Sequence, residues 1–189
     1  MPDTQFRFHF DRSLQAAAHL LRQADERAMA YIHLLKMLYI ADREYLAERG
    51  YPITGDRVLA MQHGPVLSNV YDLIKGKSDQ SDQWHQFIQT LPKSHKVRLI
   101  ADPGVGDLSR ASMSKLDDVF KRYSNMAPFR VVHLTHDYPE WQKHYLLGCV
   151  TTIPWWSILN AQGAEAMRPF VEDQINLQRH QDALQKACQ

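Results

Sequence analysis

A chain of 189 residues, 44% hydrophobic and 23% charged, has the size of one domain. At that size roughly 70% of the unfolded surface is buried without help from disulfides or metal. Its 22 basic and 21 acidic residues leave a formal charge of +1, which lacks the basic excess of a dedicated nucleic-acid binder.

The two cysteines, Cys149 and Cys188, form no Cys-x-x-Cys pair. A reducing cytoplasm is therefore the expected compartment, with neither a disulfide framework nor a zinc ribbon. The first residues carry Asp3, Arg7, Asp11 and Arg12 with no apolar core between them, unlike a signal peptide. No run approaches the roughly 18 apolar residues of a membrane helix; His33 and Lys36 interrupt even YIHLLKMLYIA.

FRFHF at 6–10 alternates Phe6, Phe8 and Phe10 with Arg7 and His9. This is either a short extended piece with one apolar face or a lead-in whose rings tuck into the core. From Asp11 the period becomes helical: Asp11 or Ser13 offers a cap, and Leu14, Ala17, Ala18 and Leu21 share a face. A longer helix follows over 29–50. Tyr31, Leu34, Leu35, Leu38, Ala41, Tyr45 and Leu46 form its stripe, Lys36, Asp42, Arg43 and Arg49 oppose it, and Gly50 closes it.

Alternation over 58–63 predicts a short strand. Pro65 then stands at the start of a helix whose inner face is Val66, Val70, Leu73 and Ile74. A polar loop leads to a short helix over Trp84 to Leu91. A strand over 96–101 and a Pro-Gly turn returning at Leu108 read as a hairpin. Ser109, Ser112 and Ser114 offer caps for a helix through Leu116 and Tyr123; Pro128 and Pro139 open two short helices, and a Gln-rich helix begins near Pro169.

His63-Gly64-Pro65 is the sharpest local motif. A phosphate cradle needs several backbone N–H donors, yet proline removes one and a single glycine is present. A hinge fits each residue better: Gly64 turns the chain or admits a close neighbour, and Pro65 presets the first helical turn before Val66. His63 then ends the strand as a structural histidine bonding across the junction, with Tyr71, His136 and Trp141 as its supports.

His133 and His136, followed by Asp137, allow a metal-dependent hydrolase as an alternative, although no His-Glu-x-x-His is present. No Gly-x-Ser-x-Gly or Walker loop is present either. Phe8, Trp155 and Trp156 are candidate partner-binding aromatics, because tryptophan often dominates binding energy. The alternative for the tryptophans is that they cover the edge of the core.

The run YIHLLKMLYIADREYLAERGYPITGDRVLAMQHGPVLSNVYDLIKG, with LSRASMSKLDDVFKRYSNMAPFRVVHLTHDYPEWQK after it, resembles the Panacea domain, the SocA-like antitoxin family. The likeness spans about residues 14 to 145. It implies a mostly helical domain, found in bacteria and phages as the antitoxin half of toxin–antitoxin pairs, that neutralises a cognate toxin by direct contact. It brings no catalytic residues and no cofactor.

A SocA-type member also delivers its toxin to a protease, so a proteolytic adaptor is a further alternative, with a cytoplasmic protease as second partner. The expected fold is mainly α (α+β): a single compact helical domain with a small short-stranded antiparallel sheet or hairpin. Residues 1–150 would form the antitoxin-like domain, and 151–189 a C-terminal helical extension packed on it.

Overall fold

Helix α2 (Tyr31–Arg49) is the element around which the others assemble. In the computed structural model, which describes residues 5–187, it packs against elements from both ends of the chain. Asp3 and Cys188 lie outside the described residues. Leu34, Leu35, Met37, Leu38, Ile40 and Ala41 are all buried, so the helix has no broad solvent face. The expected polar face is corrected accordingly: Lys36 is 0% exposed and Asp42 4%. Gly50, at φ +78, supplies the left-handed stop.

Before α2 comes α1 (Phe10–Gln23). Its Ala16, Ala17 and Ala18 are fully buried, and the helix packs against α2 and α5 (Arg110–Tyr123). Asp11 and Ser13 lie inside the first turn instead of capping it, and the Ser13 hydroxyl donates back to the His9 carbonyl at 2.7 Å. Ser109 caps α5 as expected, accepting from Ser112 N–H at 3.0 Å.

Two three-stranded antiparallel sheets complete a mainly α (α+β) fold. The first has the order β1-β5-β4, from β1 (Ala28–Ala30), β4 (Ile88–Leu91) and β5 (Lys96–Leu99). The strand expected over 96–101 thus exists, but its neighbours are residues 28–30 and 88–91, not a return at Leu108. The helix expected to reach Leu91 stops early: α4 is Ser81–His85, and Ile88 and Thr90 pair with Leu99 and Val97 instead. β-Branched residues fit the pleated surface, and Ile88, Val97 and Leu99 are buried there.

The second sheet has the order β3-β2-β6, from β2 (Val58–Met61), β3 (Gly64–Leu67) and β6 (Thr151–Ile153). Pro65 therefore does not open a helix. It lies in an outer strand opposite Ala60, where a missing N–H breaks no ladder. Helix α3 (Ser68–Lys75) begins three residues later. Its neighbour Leu67 cannot cap it, and Asp56 does so from a distance, accepting from Asn69 N–H and Val70 N–H at 2.9 Å each.

Pro128 and Pro139 open α6 (Pro128–His136) and α7 (Pro139–His144) as expected. After β6 come α8 (Trp155–Ala161) and α9 (Arg168–Ala187). Among the described residues no helix is long and apolar enough to cross a membrane.

Asp56→Ala strips two N–H groups at the start of α3 of their acceptor. Loss of a capping carboxylate costs about 1–2 kcal/mol, so denaturant unfolding is expected to show that drop, and an unchanged midpoint would deny the remote cap.

Candidate functional site

Of the residues singled out around Gly64, Pro65, Val66, His136 and Trp141 gather at a clamped hairpin and not at a strand-to-helix junction, whereas Tyr71 lies apart on α3 and the His63 ring packs on Phe129. Gly64 has φ +86, and a Cβ there would lie 2.6 Å from Thr135 Oγ1 and 2.9 Å from Lys36 Nζ. Glycine is needed twice over, for the backbone angle and for the close approach. Lys36 Nζ donates to the Pro65 carbonyl at 2.7 Å, and Val66 is buried beside it.

On the outer side, the Trp141 indole N–H donates to the Met61 carbonyl at 3.1 Å. The Trp141 ring stacks between His136, 4.2 Å between centroids, and Tyr145 at 4.6 Å. His63 makes an edge contact with Phe129 at 6.2 Å instead of a bond across the turn. Tyr71 sits on α3, its ring 5.6 Å from Lys75 Nζ.

Behind the hairpin lies a set of buried polar anchors on α2 that periodicity alone assigned to solvent or missed. The ring of His33 bonds the Tyr123 carbonyl at 3.1 Å, at the end of α5. Three residues on, Lys36 holds β3. The Tyr39 hydroxyl donates to Glu140 Oε1 at 2.7 Å, and Arg43 Nε donates to the same oxygen at 2.5 Å, so two side chains grip α7. Asp42 accepts from Thr54 N–H at 3.0 Å and from the Thr54 hydroxyl, fixing the segment between α2 and β2.

Burial shapes the protonation of this set. It pulls the Lys36 ammonium down to about 7, and it pushes the Asp42 carboxyl up to about 7 against the opposing pull of the Thr54 hydrogen bonds. His136 is lowered by burial first and then by Lys36, His133 and His63.

The partner-binding candidates divide. Trp155 is buried and Trp156 half-buried, and both border a pocket of about 280 Å³ with Phe6, Arg43, Arg57 and Ile153. Phe8 is half-buried and borders a different pocket, with Arg12, Gln80 and Asp107. Nothing in their spacing joins the two groups.

The histidine pair tells a plain story. His133 and His136 are indeed neighbours, with centroids 5.9 Å apart in an edge contact. However, among the described residues no three His, Cys, Asp or Glu side chains converge as metal ligands. The buried carboxylates of Asp42, Asp56 and Glu140 and the ammonium of Lys36 are each committed to a structural hydrogen bond.

Comparison with known proteins gives one result of consequence. A family model described as "Antitoxin SocA-like, Panacea domain" matches residues 34–142, more than half of the chain. It covers α2 from Leu34 onward, the clamped hairpin and the start of α7, whose Trp141 braces that hairpin. No curated protein and no solved structure matches the chain significantly.

Gly64→Val is expected to cost about 3 kcal/mol, combining a forbidden φ with a buried clash. For a chain of this size that is a fall in Tm of roughly 6–12 °C, and a melting curve matching the parent would refute the clamp.

Lys36 gives a separate signature. Between pH about 7 and the ordinary lysine value of 10.5, the unfolded chain holds a proton that the folded chain lacks, so stability rises with pH across that window. Lys36→Met should remove up to about 1.4 kcal/mol per pH unit of that slope, measured by denaturant titration at several pH values; parallel lines for parent and variant would contradict it.

Proposed function

Because the chain belongs to the antitoxin SocA-like, Panacea domain family, we propose that it acts without catalysis, neutralising the toxin of a toxin–antitoxin pair by direct protein contact. The family match is the observation that carries this reading. What also supports it is the chemistry of the conspicuous polar side chains. Lys36, Tyr39, Asp42, Arg43, Asp56 and Glu140 bond to the chain itself. Such groups stabilise a shape, and a binder needs a rigid shape with a free surface.

In this reading the anchored core holds surface side chains such as Trp156 in place, and the toxin is silenced by having its working surface covered. The partner is a protein, and no cofactor enters the reaction.

The test is co-expression with the product of the adjacent reading frame. Growth arrest by that product alone, relief on co-expression, and co-purification of the two chains are the expected results. Absence of both relief and co-purification would reject the reading for that pair. Toxin abundance in the rescued cells separates two modes: a steady level means sequestration, whereas a shortened half-life means hand-over to a protease.

A further inference from the structure

Where the first sheet meets the start of α2, an open pocket of about 740 Å³ shares no lining residue with the clamped hairpin. Tyr31 opens α2, Lys75 ends α3, His85 ends α4, and Gln89 and His95 stand on β4 and on its turn into β5. These pieces are tied to one another. The Thr90 hydroxyl donates to the Ile74 carbonyl at 2.8 Å, and Tyr31 N–H donates to the His95 carbonyl at 3.0 Å. His95 is held there at φ +53. That angle costs a residue with a side chain, and such strain gathers at ligand clamps.

The polar groups of this pocket are almost all donors with nothing to give to. Lys75 Nζ lies 3.9 Å from the centre of the Tyr31 ring and 5.6 Å from that of Tyr71. A ring face holds an ammonium in place but leaves its N–H groups without a strong acceptor. Among the described residues Lys75 makes no ion pair and no side-chain hydrogen bond; even Asp72 and Asp79, three positions before it and four after, do not pair with it. The side chains of His85, Gln89 and His95 likewise bond to no other group there, and His85 Nε2 is buried without a partner. No aspartate or glutamate lines the pocket. A set of N–H donors unopposed by any carboxylate suits an anion.

The walls suit more than a bare ion. The volume falls within the roughly 300–1,000 Å³ of sites for organic ligands. Ile74, Pro92 and Ile100 supply an apolar side, and Ile100 is 53% exposed. The Tyr31 and His95 rings, 6.3 Å apart and tilted by 58°, add flat faces beside the ammonium.

We propose that this pocket binds a small organic anion: a planar ring body against Tyr31, His95 and Ile100, with its phosphate or carboxylate head on Lys75. His95 and Gln89 donate to the same head group. The site is separate from toxin neutralisation and gives the chain a small-molecule ligand of its own.

The test titrates the full chain with four compounds that share one ring body, naphthyl phosphate, naphthoate, naphthamide and naphthylmethylammonium, and with inorganic phosphate. At least one of the two ring anions is expected to bind tenfold or more tightly than the neutral and cationic compounds, and than inorganic phosphate. Whichever anion binds better identifies the head group. Its binding should shift the backbone amide resonances of Gln89, His95 and Lys96. Lys75→Met should weaken it at least tenfold, and Lys75→Arg, which keeps the charge, should stay within threefold of the parent. Lys75 is exposed, so both variants are expected to fold, which their melting curves check.

Equal binding of all four ring compounds would reduce the site to an apolar patch, and inorganic phosphate binding as tightly as naphthyl phosphate would remove the ring from the recognition. Either result overturns the proposal, as do shifts confined to other residues, full binding by a folded Lys75→Met, or no binding by either ring anion. None of these outcomes involves the toxin or growth, so the antitoxin reading stands or falls separately, by co-expression.

Discussion

A lysine ammonium with no exposed surface is tolerable only where something holds it, and in this protein that something is the backbone of a neighbouring strand. Lys36 reaches from the middle of α2 to the Pro65 carbonyl, and much of the second sheet depends on that reach. It sets how closely β3 approaches α2, and so forces glycine at position 64. It also occupies the Pro65 carbonyl on the outer edge of β3, where that same proline has no N–H to offer. One directional bond thus fixes a distance, a residue type and the closure of a sheet edge.

The same device recurs along α2. His33, Lys36, Tyr39 and Asp42 are spaced by three residues, and each step of three falls about 60° short of a full turn. Successive anchors therefore point in different directions and hold different elements: α5, β3, α7 and the segment before β2. Apolar burial drives such a helix inward but is non-directional. The hydrogen bonds supply the angular information. The Arg43–Glu140 pair belongs to this group, since both partners are largely buried and share an oxygen with Tyr39; a lone charge left there would be far costlier than the pair.

Much of the framework was legible in local signals. The α2 stripe, the stop at Gly50, the Ser109 cap and the prolines opening α6 and α7 all express rules that act within a few residues. Errors arose where the deciding partner was remote. Pro65 obeys the rule for a helix start equally well as the rule for an outer strand, and only the pairing with Ala60 separates them. Asp56 caps α3 from 12 residues before its start, beyond any capping pattern read along the chain.

Lys36 and Asp42 were placed on a solvent face because a stripe was assumed to have an opposite side, whereas α2 is enclosed. The apolar residues around YIHLLKMLYIA on both sides of Lys36 were the available hint. Among the site residues, Gly64 and Trp141 were recognisable as types. The meeting of Gly64 with Thr135 was not, since it joins positions 71 apart in the chain.

The family match ends at residue 142, yet the second sheet does not. Val58 meets Ile153, which lies 95 positions further along the chain. At a synthesis rate of about 5–20 residues per second, the flank of β2 waits roughly 5–20 s on the ribosome before its last neighbour exists. The matched segment thus stops short of a strand that the second sheet includes. A nascent chain of this kind passes through an interval in which an unpaired edge is available to whatever protein is being made, or waiting, close by.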